Sequence, residues 1–157
     1  GAIEQMTVLE KSLRQRALEY LGKREYSSAE LGQKLKAYAD ENDDIHALLE
    51  DFKAKGWLSD TRFTEQIVSA RQSKFGSAKI AHELREKGVA DHLIADAIEQ
   101  VKDNELANAT EVWRKKFKTG PKSREECAKQ ARFLQSRGFG FDLIKKVLSA
   151  AETEEND

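Results

Sequence analysis

The segment KFGSAKIAHELREKGV, residues 74–89, reads as one short helix between an aromatic-glycine opening and a lysine-glycine close. Gly76-Ser77 breaks and recaps the chain, Ile80 and Leu84 form a stripe at helical spacing, and Gly88 offers a left-handed C-cap at little cost. Both phrases recur. The opening stands 49 residues earlier as YSSAELGQKL, 26–35, and the close returns 50 residues later as FLQSRGF, 133–139. A shift of 49 maps Leu31, Leu35, Ile45, Leu49 and Phe52 onto Ile80, Leu84, Ile94, Ile98 and Val101. A shift of 50 then takes Leu84, Gly88, Val89, Leu93, Ile94 and Ile98 onto Leu134, Gly138, Phe139, Leu143, Ile144 and Leu148, and Phe63 and Ile67 onto Trp113 and Phe117.

A period of this length marks a helical repeat array. The fold expected is all-α: an elongated, curved rod of three tandem three-helix repeats. Their bounds are 1–58 (with an N-terminal extension), 59–104 and 105–152, followed by an acidic tail at 153–157. Ser59 or Asp60 caps the helix that carries Phe63, Ile67 and Ala70, and a later helix starts near Asp91 and buries Ile94, Ala97, Ile98 and Val101. Another starts near Leu106 and ends at Gly120-Pro121. Ser27 with Glu30, and Ser123 with Glu126, have the spacing of capping boxes. Helices this short need their neighbours, so the repeats must pack on one another.

Hydrophobic residues make up 39% and charged residues 35%, which suits a helical protein with much surface. Cys127 stands alone and no apolar run approaches the roughly 18 residues of a membrane span, so a cytoplasmic protein that avoids membranes is expected. The net charge of -1 hides a gradient. Residues 1–60 carry 9 Lys/Arg against 12 Asp/Glu, residues 61–104 carry 7 against 7, and residues 105–150 carry 11 against 5. The last repeat is a basic module.

Chemistry that needs paired or clustered groups finds no support. His46, His82 and His92 lack metal-site spacing, Gly22-Lys23 lacks the rest of a phosphate loop, and no nucleophile elbow occurs. The acidic turn at Asp40, Glu41, Asp43 and Asp44 reads as a solvated loop. No catalytic residue, metal or cofactor is expected. Trp57, Phe63, Phe75, Trp113, Phe117 and Phe133 are read as core packing, and one of Phe139 and Phe141 as exposed.

Basic residues are the candidate site. Arg71, Lys74 and Lys79 surround the Phe75-Gly76 turn, Arg85 and Lys87 close the same repeat, and Glu83 is spaced to pair with Lys87. Arg114, Lys115, Lys116, Lys118, Lys122 and Arg124 lie in an acid-free run, residues 113–124, followed by Arg132 and Arg137. Such a run is either a solvated face or a contact for clustered negative charge.

The run GWLSDTRFTEQIVSARQSKFGSAKIAHELREKGV, residues 56–89, resembles the signature of the bacterial RecX family, regulators of the RecA recombinase. Gly56-Trp57-Leu58, Asp60, Arg62-Phe63, Lys74-Phe75-Gly76, Lys79-Ile80, Glu83-Leu84 and Lys87-Gly88 carry the pattern, and REYSSAELGQKL and ARFLQSRGFGFDLIKKVL match the flanking repeats. The resemblance implies a non-enzymatic protein, expected as a monomer, that lodges in the groove of the RecA–DNA filament. There it would inhibit filament growth, strand exchange, ATP turnover and co-protease activity. Single- and double-stranded DNA would be weaker partners. Two alternatives stay open: direct DNA binding in competition with the recombinase, and a helical adaptor unrelated to DNA. The first repeat departs from the pattern, with Ala39 where the others close on glycine, so DNA contact is expected on the second and third.

Overall fold

Eight helices and no strand make up residues 11–156, the part of the chain that the structure, a computed structural model, describes. They are α1 (Leu13–Lys23), α2 (Ser28–Lys36), α3 (Ile45–Ala54), α4 (Asp60–Arg71), α5 (Ser77–Glu86), α6 (Asp91–Phe117), α7 (Arg124–Ser136) and α8 (Phe141–Asn156). Residues 1–10 of the expected N-terminal extension, and Asp157 of the expected tail, lie outside the described residues. The chain forms two compact units, one reaching to Phe63 and including Lys87–Val89, the other holding Thr64–Glu86 and everything from Ala90. The first buries Ala17, Tyr26, Leu31, Leu35, Leu49, Phe52 and Leu58, and a core of the second centres on Trp113, Leu134, Phe139, Ile144 and Leu148. Most of these residues lie on the stripes that the 49- and 50-residue register aligns.

The recurring phrases pack on each other, each opening against the close of the next repeat. In the first unit the Ser27 hydroxyl donates to the Lys87 carbonyl and the Ser28 N–H donates to Asp60 at 2.7 Å. Gly88, at φ 76, lies so close to Ala29 that a Cβ would collide with the Ala29 methyl. In the second unit the Gly76 N–H donates to the Arg137 carbonyl at 2.7 Å and the Ala78 N–H to the Gly138 carbonyl at 3.2 Å. The Ser77 N–H donates to Glu105 at 2.6 Å. A carboxylate therefore caps the middle helix across each joint, where the unpaired N–H groups and the helix dipole favour it. Ala39 follows from the same geometry: positive-φ glycines close the middle helices of the second and third repeats at Gly88 and Gly138, whereas the turn after α2 takes none.

Several expectations need correction. The helices expected near Asp91 and from Leu106 are one, α6. No Gly or Pro interrupts residues 91–117, and the carboxylate of Glu105, 7% exposed, is satisfied by Ser77. Both expected capping boxes are half-boxes. Ser27 and Ser123 accept from the N–H groups of Glu30 and Glu126, but the Glu30 side chain turns to Arg24 and Lys87, and that of Glu126 to the Lys122 N–H. A full box stands at Ser12 and Gln15 instead. Glu83 pairs with Arg71 rather than Lys87. Trp57 is 45% exposed, because its ring lies over Phe52 at the surface instead of joining the core. Phe139 is buried and Phe141 exposed.

Candidate functional site

The second unit gathers cations on aromatic rings at its joint. Phe75 sits in the α4–α5 turn, its N–H donating to the Arg71 carbonyl at 2.8 Å. The Lys79 ammonium lies 4.8 Å from the centre of the Phe75 ring, and the Arg137 guanidinium 5.7 Å from the same centre. Arg137 also covers Phe133 at 5.0 Å, which takes Lys116 at 5.6 Å and meets Phe117 edge-on at 5.3 Å. Both rings are half-buried, so one side packs and the other carries charge. Beside them Arg71, Phe75, Lys79, Ile80 and Glu83 line a cleft of about 290 Å³. The Arg71 guanidinium donates to Glu83 at 2.9 Å, which holds its pKa above the ordinary arginine range.

The first unit shows what is unusual here. In the repeat register Tyr26 matches Phe75, Glu30 matches Lys79, and Lys87 matches Arg137. At the first joint Lys87 donates to Glu30 at 3.2 Å, and Arg24 donates to it at 2.7 Å while lying over Tyr26. Burial opposes the charge on Glu30, but these two hydrogen bonds outweigh it and hold the carboxyl below the usual range. The first joint closes on an ion pair. At the second, two like charges share one ring.

The expected site residues therefore divide. Arg71, Lys79, Lys116 and Arg137 come together, with Lys74 exposed in the same turn. Lys118, Lys122 and Arg124 are exposed on and beside the α6–α7 connection, and Arg114 and Lys115 on the last turn of α6. Arg85 and Arg132 are exposed on α5 and α7, and Lys87 is engaged at the first joint. Sequence reasoning assigned Phe75 and Phe133 to the core and missed the cations that lie over their rings. The signal was present, since Lys79 and Arg137 each stand four residues after a phenylalanine. A second cation–aromatic group was missed in the first unit: Arg14 and Lys55 lie 5.8 and 5.1 Å from the Trp57 ring, and Asp51 accepts from both at 2.9 Å. Among the described residues no group of three or more His, Cys, Asp or Glu is arranged to hold a metal, and no helix is long and apolar enough to cross a membrane.

Comparison with known proteins places this architecture. Residues 59–98 match the family model for the second three-helix domain of RecX, and residues 103–148 the model for the third. The regulatory protein RecX of Leptothrix cholodnii is 42% identical over 143 residues, 91% of this chain and 91% of that protein. That of Chromobacterium violaceum is 42% identical over 145 residues, 92% and 94% of the two chains. The crystal structure of RecX from Lactobacillus salivarius shares the fold, with a TM-score of 0.78 at 19% identity over 90% of this chain and 95% of that one. The chain belongs to the RecX family of regulatory proteins.

Proposed function

We propose that this chain is a non-enzymatic cytoplasmic regulator that binds the filament formed by a RecA-type recombinase on DNA and inhibits its recombinase, ATPase and co-protease activities. The observation that carries the reading is the replacement of the Lys87–Glu30 pair of the first joint by Lys79 and Arg137 at the second. Two cations on one ring, Lys79 also donating to the Ser136 carbonyl at 3.4 Å, with Lys116 beyond them, suit clustered phosphates or carboxylates. The -3 balance of residues 1–60 opposes tight binding to bare DNA, so protein contacts supply most of the affinity for the coated filament.

The experiment titrates this chain into a recombinase ATPase assay. It also measures binding to bare and recombinase-coated single-stranded DNA over a salt series. Inhibition at stoichiometric or lower amounts is expected, with weak, salt-sensitive binding to bare DNA and tighter, less salt-sensitive binding to the filament. Lys79→Glu would rebuild the first joint's ion pair with Arg137. It should weaken binding while leaving stability within about 1 kcal/mol, whereas Lys36→Glu on α2 should leave binding near that of the parent. Replacing Lys115, Lys116 and Lys118 with Ala should flatten the bare-DNA salt slope by about one unit per lost contact. An unchanged ATPase sinks the proposal. The acid-free run at 113–124 favours one other reading, competition for DNA itself, and equal affinities and slopes on the two lattices would establish it.

A further inference from the structure

The third repeat breaks the register at one buried position. The shifts that map Leu31 onto Ile80 put Gln130 next in line, where the other repeats hold an aliphatic side chain. Leu31 and Ile80 are 0% and 1% exposed, and Gln130 is 5% exposed. A buried amide is costly unless both of its ends are satisfied. Here both are used: Oε1 accepts from the Trp113 indole N–H at 2.7 Å, and Nε2 donates to the Thr119 carbonyl at 3.4 Å.

Thr119 belongs to the α6–α7 connection, residues 118–123, and that connection is held at several points. The Thr119 N–H donates to the Phe117 carbonyl at 2.7 Å, closing a tight turn at Lys118. Lys118 has φ 67 and ψ -34 and is the one non-glycine residue with positive φ among those described. This is a strained γ-turn, which persists only where its surroundings impose it. Gly120 and Pro121 are buried, and a Cβ on Gly120 would lie 3.2 Å from the Ala151 carbonyl. The Lys122 N–H donates to Glu126 at 2.6 Å. The result is a rigid loop that displays the exposed side chains of Lys118 and Lys122.

We infer that Gln130 is a positioning residue: by donating to the Thr119 carbonyl it fixes the α6–α7 loop as a pre-organised phosphate site in which Lys118 and Lys122 meet the DNA backbone. The inference rests on the filament-binding reading and adds to it the group that shapes the contact. A loop already ordered loses little freedom on binding, so untying it weakens binding without removing a single charge.

The test compares the parent, Trp113→Phe and the double variant Trp113→Phe/Gln130→Leu. Trp113→Phe keeps the tie to Thr119. The double variant replaces both buried hydrogen-bonding partners by apolar groups, so the fold is retained. A labelled single-stranded oligonucleotide is followed by fluorescence anisotropy over a salt series, with urea unfolding and amide exchange of residues 118–123 measured in parallel. Trp113→Phe should bind as the parent does. The double variant should bind about fivefold more weakly at comparable stability, with faster exchange in the loop. A purely structural role would move the urea midpoint and leave the affinity of the folded protein unchanged. Equal affinity of the parent and the double variant overturns the role of Gln130 alone. A parent that binds neither bare nor coated DNA overturns the functional reading and this inference with it.

Discussion

Replacing Gly76 with alanine probes the joint of the second unit directly. The backbone of Gly76 lies outside the left-handed region, so the substitution tests space alone. Its Cβ would strike the Gly138 carbonyl oxygen and lie 2.6 Å from the Gly138 carbonyl carbon and 2.7 Å from Phe139 Cδ1. Neither neighbour yields easily, because Phe139 is 2% exposed within the core and the Gly138 carbonyl accepts from Ala78. Overpacking costs about 1–3 kcal/mol, and loosening the two backbone hydrogen bonds of the joint adds about 1 kcal/mol each. A loss on the order of 3–5 kcal/mol is expected. Gly56 is the control: at φ 75 with nothing within 4 Å, Gly56→Ala bears only the left-handed backbone, about 1 kcal/mol. Gly138→Ala bears both, with φ 92 and a Cβ 2.6 Å from that of Lys79, and should be at least as damaging as Gly76→Ala. Urea unfolding followed by far-ultraviolet circular dichroism ranks the three variants. A Gly76→Ala protein no less stable than Gly56→Ala would refute the close approach at the joint.

Leu84→Ala and Leu134→Ala, both at fully buried sites, should each cost about 2–5 kcal/mol in the same assay; stability equal to the parent's would show that the register does not mark core positions. Glu30→Gln should lower the urea midpoint at neutral pH, because the native carboxyl titrates below its ordinary 4.5. A depressed carboxylate stabilises the fold above that value and loses its contribution as pH falls through the native pKa, so the gap between variant and parent should close in acid. A gap that widens there would reverse the sign assigned to this group. Iodide should quench the tryptophan emission of the parent and largely fail with Trp57→Phe, since the remaining Trp113 is 3% exposed; strong quenching of that variant would place Trp113 at the surface.

The fold was legible because a repeat must bury the same face each time. Most aligned apolar residues, Leu31 and Ile80 among them, are therefore core, while Ile67, Leu93 and Ile98 stay half-buried, and the recurring phrases are the two sides of a joint. What escaped was governed by contacts distant in sequence. The break expected before Leu106 needs a Gly or Pro, and neither lies between Asp91 and Phe117, while Glu105 meets a helix 28 residues away. Trp57 reads as core by hydrophobicity alone, yet Arg14 and Lys55 lie against its ring and its edge remains in solvent.

The cations of the site could be named from sequence, but not sorted. Lys87 and Arg137 occupy one register position and look interchangeable. Their difference lies across the joint, where the first repeat supplies Glu30 and the second supplies Lys79. One acid-for-base exchange turns a sealed joint into one that presents charge. Substitution within a repeat can change the charge of a joint in this way and keep its frame: Ser27 or Gly76 still meets the closing carbonyl, Asp60 or Glu105 still caps the helix, and Leu31 or Ile80 still fills the core. Gln130 extends the same reasoning to the interior. It is the position where the third repeat gives up an aliphatic contact, and the hydrogen bonds it gains lead to Thr119 in the basic loop. Departures from the period are therefore the positions at which the proposed contacts can be tested apart from the fold.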